Sequence, residues 1–400
     1  MAKQKSTWQK VRKLFNDIHL WLGIAAAIIL FIVCLTGTIY TFRTEIEESI
    51  ASEKFFVDVP ENGQRLSPDE LVAITKNEFP GHEVTALTVP ANEARSYRVY
   101  VRKEGERRGK RYLINPYNGE VLGDTSTSSS EFFSTMFRLH RWLSLDTSIG
   151  RPIVGWATVI FVFLCITGIV IWVPQKVKAW KQGLKIKWSG NWKRINHDLH
   201  NALGFYSVIF LLIMGLTGLQ WSFDWYRTGL YNFLGVDRSR SNQEEVKPEV
   251  DYSGLTPISL EATIAKADEE LDYDGNYSIS IPNAEANSIS ITKSKVGFFA
   301  PSGSDRITLN KYTAEVEKKD IFSERPFNER VGSSIKALHM GYVFGTFSKI
   351  IYFITCLIAT SLPVTGTIIW VNKLKKKKAK KKKDQLKQRV VDQPGKLATA

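Results

Sequence analysis

Asp17-Ile18-His19-Leu20-Trp21-Leu22-Gly23 runs straight into an uncharged stretch that ends near Phe42. The motif returns as Asp198-Leu199-His200-Asn201-Ala202-Leu203-Gly204, ahead of a second uncharged stretch that ends at Phe223. Each landmark of the second copy lies 181 positions after its counterpart: 17 and 198, 19 and 200, 23 and 204. Thr36-Gly37 and Thr217-Gly218 keep that spacing, and each Thr-Gly glycine stands 18 residues beyond its histidine. At roughly 100° per residue that is about five full turns, so the histidine and both glycines of each copy share one helix face.

Working outward, four windows lack charge for long enough to cross a ~30 Å hydrocarbon core: Leu20–Phe42, Pro152–Val173, Asn201–Phe223 and Ile350–Val371. Polar segments separate them. With 44% hydrophobic residues and a mean hydropathy of −0.15, the chain of 400 residues is neither purely membrane nor purely soluble. Its three cysteines, Cys34, Cys165 and Cys356, fall inside the windows, without a Cys-x-x-Cys motif or a disulfide framework.

The net charge of +14 invites a nucleic-acid reading, but the location of the charge argues against it. Lysine and arginine crowd the N-terminus (Lys3, Lys5, Lys10, Arg12, Lys13), the segment from Lys176 to Arg194 and the tail from Lys373 to Arg389. An even number of crossings puts these three segments on one side, and the positive-inside rule makes that side the cytoplasm. The tail then reads as a topology anchor drawn to anionic lipid. The first window is too long for the h-region of a signal peptide, no clear cleavage site follows it, and it is expected to remain in the mature protein.

The expected order is a cytoplasmic lead-in helix over 1–17, a first span over 18–42, and an extracytoplasmic domain over 43–130. An outer interfacial helix and break follow over 131–151, then a second span over 152–173 and a basic cytoplasmic loop over 174–196. The third span covers 197–223, a second outer domain 224–330, and a second outer interfacial segment 331–349. A fourth span over 350–371 and a Lys-rich cytoplasmic tail over 372–400 close the chain. In the first outer domain, Ser67 caps a helix that Pro68 opens and Asp69 and Glu70 load with acid. Alternating runs at Val84–Val89 and Tyr97–Arg102, then Arg111–Ile114 and Val121-Leu122, predict a small antiparallel sheet, with a turn over Asn115–Glu120. In the second, Ser259–Leu271 predicts a helix and Ile307–Val316 a strand with its closing turn.

The order Ser67-Pro68-Asp69-Glu70-Leu71, Phe79-Pro80-Gly81, then Tyr112-Leu113-Ile114-Asn115-Pro116-Tyr117-Asn118-Gly119-Glu120-Val121-Leu122-Gly123 resembles a PepSY domain. With spans on either side, the chain resembles the PepSY-associated transmembrane family over about residues 10–375. The resemblance implies an iron-regulated bacterial inner-membrane protein of the type that includes di-haem ferric-siderophore reductases. The second outer domain departs from the pattern at Lys311 and Ala314, where proline and glycine are expected, and is read as degenerate.

Thr167-Gly168 near the end of the second span matches Thr365-Gly366 near the end of the fourth, and Leu139-His140 matches Leu338-His339. Spans one and three therefore correspond, as do two and four. The fold class is membrane α-helical, four transmembrane helices in a duplicated parallel repeat of helix, PepSY-like domain and helix.

Four of the six histidines, His19, His140, His200 and His339, stand at the ends of spans. Single interfacial histidines are often only tolerated polar anchors. Four that pair by repeat and face glycine are better read as ligands, and ionisable groups at membrane depth default to function. A histidine on a glycine-lined face suits a flat ligand such as haem. Two haem b groups are expected: one near the cytoplasmic face on His19 and His200, one near the outer face on His140 and His339. Bis-histidine iron has no open position and carries electrons. Gly23, Gly204, Gly37, Gly218, Gly168 and Gly366 would give clearance, although small residues also serve plain helix packing. His197 is a second-choice ligand whose repeat counterpart is Asn16, and a His197–His200 metal site is an alternative. Asp17 and Asp198 either orient their histidines or cap their helices. Trp21, Trp142, Trp172 and Trp370 either line the pockets or belong to interfacial belts, and His82 reads as a solvated loop residue.

No dinucleotide or phosphate-binding motif is present, so a reduced flavoprotein or a quinol must supply electrons from the cytoplasm. The family resemblance points to ferric siderophore as acceptor, because reduction of hard Fe(III) loosens its oxygen ligands. The run Arg95, Arg98, Arg102, Lys103, Arg107, Arg108, Lys110, Arg111 either attracts an anionic chelate or is a solvated edge that blunts strand pairing. The competing class is a non-enzymatic membrane regulator whose PepSY domains bind or inhibit a protease. That reading leaves the paired histidines unexplained.

Overall fold

The computed structural model describes residues 7–174, 180–236, 252, 254–283 and 286–392. Lys3, Lys5, Lys176 and the last eight residues of the tail lie outside the described residues. In chain order the helices and strands are α1 (Thr7–Tyr40), α2 (Arg43–Ile50), α3 (Ser52–Phe55), α4 (Pro68–Glu78), β1 (His82–Val89), β2 (Tyr97–Lys103), β3 (Lys110–Ile114) and β4 (Val121–Asp124). Then come α5 (Ser130–Trp142), α6 (Thr147–Trp172), α7 (Trp180–Gly183), α8 (Trp192–Gly218) and α9 (Asp224–Leu234). The chain ends with α10 (Leu260–Glu270), β5 (Gly275–Ser280), β6 (Ser288–Lys295), β7 (Ser304–Asn310), β8 (Val316–Asp320), α11 (Phe327–Met340) and α12 (Gly345–Asp392).

The chain divides into two compact units. The first joins residues 1–39, 136–224 and 352–400, and holds most of the four helices long and apolar enough to cross a membrane: α1, α6, α8 with its 3-10 extension to Trp221, and α12. Helix α1 absorbs the lead-in and the first span without a break, and α12 continues from the fourth span through the Lys-rich tail to Asp392. Lysine and alanine are good helix formers, so nothing in Lys375–Lys383 stops the helix once it is nucleated by the span. Small residues let the helices close on one another. A Cβ on Gly155 would lie 2.6 Å from Phe223 Cζ, and one on Gly215 would lie 3.0 Å from Val162. Between α5 and α6 the chain turns through Leu143 and Ser144, both in the left-handed region (φ 56°). Asp146 then caps α6, accepting from Ser148 N at 2.8 Å.

The second unit joins residues 40–135 and 225–351. Its eight strands form one antiparallel sheet in the order β4-β3-β2-β1-β5-β6-β7-β8. Two separate outer domains were expected from the sequence. Instead the leading strand of each half pairs with the other, Leu87 opposite Ile279, so two edges that would be exposed are consumed and the cores merge. Leu87, Val99 and Ile114 from one half and Ile279, Ile291, Ile307 and Leu309 from the other are fully buried in that single core.

Each half of the sheet unit contributes one capped helix followed by four strands, α4 with β1–β4 and α10 with β5–β8. Ser67 caps α4 in a capping box with Glu70, and Ser259 caps α10. Asp69 reaches from one helix start to the other, accepting from Leu260 N at 2.9 Å and Glu261 N at 3.2 Å. The closing turns share a hydrogen bond: Asn115 Oδ1 accepts from Tyr117 N and Asn310 Oδ1 from Tyr312 N, both at 2.9 Å. Gly119 holds φ 75° in the first turn and Ala314 holds φ 60° in the second. The second turn thus carries an alanine in the left-handed region, where a Cβ is strained.

A paired-histidine cavity in the helical bundle

His19 stands on α1 and His200 on α8, one turn or more inside the basic segments that flank the spans. Their ring centres are 6.3 Å apart and their planes cross at 87°. An ion bonded at ~2.0–2.1 Å to one nitrogen of each of two opposed imidazoles sets the ring centres roughly 6.2–6.4 Å apart, allowing ~1.1 Å from nitrogen to ring centre.

What fixes the rings is a pair of threonines. Nδ1 of His19 lies 2.9 Å from Thr167 Oγ1 on α6, and Nδ1 of His200 lies 2.9 Å from Thr365 Oγ1 on α12. Each hydroxyl already donates its only proton to its own helix: Thr167 to Phe163 O at 2.8 Å, Thr365 to Ser361 O at 3.0 Å. Each Oγ1 must therefore accept, and each imidazole must carry its proton on Nδ1. Nε2 is left with its lone pair, the form in which histidine ligates a metal.

The neighbouring glycines make the fit possible. A Cβ on Gly168 would sit 3.5 Å from His19 Cε1, and one on Gly366 would sit 3.2 Å from His200 Cε1. These two glycines seat the histidine rings. Gly23 and Gly204 lie one turn beyond the histidines on α1 and α8 and face only the tips of Leu164 and Leu362, at 3.7 and 3.8 Å. All four glycines and both histidines line one cavity of about 730 Å³ within this unit, inside the usual range of roughly 300–1,000 Å³ for small-molecule sites. Towards the basic end it is lined by Arg12, Lys13, Arg194 and Lys373.

Among the described residues neither aspartate hydrogen-bonds the histidine two positions on, His19 or His200, although Asp198 Oδ1 lies 3.7 Å from His197 Nδ1. Asp198 takes the guanidinium of Arg194 at 2.8 Å and Lys187 N at 3.2 Å, so it braces the segment ahead of α8. His197 also lines the cavity, but its ring is half exposed and meets Asn201 Nδ2 at 3.2 Å. Trp172 lines the cavity and stacks on Phe205 with centres 3.7 Å apart, whereas Trp21 is exposed on the outside of the unit. The threonine hydroxyls were missed as ring partners in the sequence, although the Thr-Gly pairs were conspicuous there.

At the other end of α1 the same construction recurs with a carbonyl. His140 on α5 donates Nδ1–H to Val33 O at 2.8 Å, which leaves Nε2 as its unprotonated nitrogen. A Cβ on Gly37 would sit 2.9 Å from His140 Cε1. His339 lies in the last turn of α11 in the sheet unit, and Gly218 ends α8. His82 opens β1, exposed, with Nδ1 3.2 Å from Pro80 O. Within the basic run, Arg95 and Arg98 hold the buried Glu48 (3.1 and 3.2 Å) and Arg102 pairs with Glu83 at 2.7 Å.

Four membrane-length helices and an antiparallel sheet, with histidines seated on Thr-Gly pairs, define a multi-span membrane protein with a strand-rich unit. The chain belongs to the PepSY-associated TM region family, whose pattern matches residues 17–373. Comparison with curated proteins gives no match.

Proposed function

We propose that the chain carries electrons across the bacterial inner membrane through two haem b groups, one held by His19 and His200 and one by His140 and His339. The observation that supports this best is the pair of imidazoles 6.3 Å apart, each with Nδ1 engaged on a threonine. A two-imidazole set beside a large apolar-walled cavity fits an ion whose remaining positions come from a macrocycle. Haem bound there supplies one-electron transfer with no open iron position.

The chain's own residues do the rest. Thr167 and Thr365 hold the rings in one tautomer, and Gly23 and Gly204 leave their helix faces clear. Arg12, Lys13 and Lys373 offer cations to carboxylates at the basic end, while Arg194 is held by Asp198. The charge distribution supports cytoplasmic termini and an extracytoplasmic sheet unit, and the matched turns at Asn115 and Asn310 support a duplicated parallel repeat. The donor is a reduced flavoprotein or a quinol. The acceptor is a ferric siderophore, whose Fe(III) takes one electron and leaves the chelator as Fe(II). A reduced-minus-oxidised visible spectrum of the purified chain tests the reading. Sharp bis-histidine b-type bands equivalent to two haems per chain are expected, and a colourless protein refutes it in favour of a regulator.

A further inference from the structure

The two halves of the sheet unit differ at one place in a way the repeat does not explain. The β2–β3 hairpin turns through Glu104-Gly105-Glu106-Arg107-Arg108-Gly109, whereas its counterpart between β6 and β7 runs Val296-Gly297-Phe298-Phe299-Ala300-Pro301-Ser302-Gly303. Phe298 and Phe299 are 49% and 64% exposed, and Phe347, on the first turn of α12, is 42% exposed. The three rings form one cluster, with Phe299 at 4.8 Å from Phe298 and 5.0 Å from Phe347.

The hairpin is bonded to the start of α12. Phe347 N donates to Phe298 O at 3.1 Å, Ser302 N donates to Val343 O at 2.9 Å, and Pro301 bridges to Phe344. Gly345 has φ 56°, and a Cβ there would lie 2.8 Å from Phe298 O, so the close approach requires glycine.

Helix α12 sets the depth. Its uncharged stretch Ile350–Val371 is about 33 Å long at ~1.5 Å per residue, which matches the hydrocarbon core and places Ile350 at its edge. Phe347 lies three residues before Ile350, about 4.5 Å further out, in the headgroup layer. Phe299, within ring contact of Phe347, shares that depth. Lys349, two residues past Phe347, is neutralised by Glu45 at 2.6 Å. Exposed aromatic rings continuous with the lipid-facing start of a span are those that bilayer interfaces hold.

We infer that the Phe298-Phe299 hairpin inserts into the bilayer interface, anchoring this edge of the sheet unit to phospholipid, while the Glu/Arg hairpin of the other half stays in water. The inference is independent of haem. Its test is Phe299→p-benzoylphenylalanine in the full chain, reconstituted in phosphatidylethanolamine–phosphatidylglycerol vesicles, photolysed and read by intact mass, with the photo-residue at Arg107 as reference. A phospholipid adduct at 299 and none at 107 is expected. No lipid adduct at 299, a crosslink there to a second copy, or lipid adducts at both positions would overturn it. A spin label at Phe299→Cys in a chain with Cys34, Cys165 and Cys356 replaced by alanine gives a second reading. It should relax with oxygen in preference to a water-soluble nickel complex, and the reverse preference counts against insertion.

Discussion

Thr365→Val keeps the shape of the side chain and removes the hydroxyl that engages His200 Nδ1. In the native bundle the Thr365 hydroxyl donates to Ser361 O at 3.0 Å and accepts from His200 Nδ1 at 2.9 Å. Valine leaves the imidazole N–H without that acceptor in a partly buried site, at a cost of about 1–3 kcal/mol. At ~1.4 kcal/mol per factor of ten this weakens haem binding roughly 5- to 150-fold. The range overlaps the ~10–100-fold cost typical of removing a ligand's orienting partner. The assay is transfer of haem from the purified protein to excess apomyoglobin, followed at the Soret band. Thr158→Val is the reference, since Thr158 makes the same back-bond to its own helix, to Val154 O at 2.8 Å, without a histidine. Thr167→Val should behave as Thr365→Val does, and Asp198→Asn as Thr158→Val does. Equal haem loss from Thr365→Val and Thr158→Val would refute the reasoning.

The three glycines that seat histidines should differ in tolerance. The approaches of 3.5, 3.2 and 2.9 Å predict that haem content falls least in Gly168→Ala, more in Gly366→Ala and most in Gly37→Ala; any other order in haem-to-protein ratio counts against this seating. Ala314→Gly should stabilise the sheet unit by about 0.5–1 kcal/mol, the relief of a left-handed alanine less the entropy of glycine. Urea unfolding of the full chain in detergent measures it, and Gly119→Ala, whose Cβ meets Ile74 Cδ1 at 2.5 Å, should move the other way. Donation from the Ser67 backbone N–H and then its hydroxyl holds the Glu70 carboxyl below its ordinary value. The capping contribution is therefore full at neutral pH and is lost as pH falls through that depressed pKa. Protection of the α4 amides, taken relative to the intrinsic exchange rate at each pH, should fall on acidification in the wild type, and Glu70→Gln should abolish that pH step.

Much of this architecture was legible because its signals are periodic or local. The four spans follow from absence of charge, and Ser67, Asp69 and Glu70 mark the start of α4 within one residue. Strand β2 alternates buried and half-buried positions as its sequence pattern predicts. Pairing of Leu87 with Ile279 was not legible, because nothing in an edge strand's own alternation says which other edge it meets. Continuity of α12 through the tail was also missed, since the change from apolar to lysine marks a membrane boundary and not the end of a helix. His19 and His200 were found by their spacing. Their hydrogen-bond partners were not, because Asp17 and Asp198 are adjacent in sequence while Thr167 and Thr365 come from other helices.

The most direct measurement counts haem per chain by the pyridine haemochrome method in wild type, His19→Ala, His200→Ala and the double variant. If the two imidazoles share one iron, the wild type holds two haems, each single variant holds one, and the double variant still holds one. Losses that add in the double variant, or a wild type without haem, would contradict the shared site.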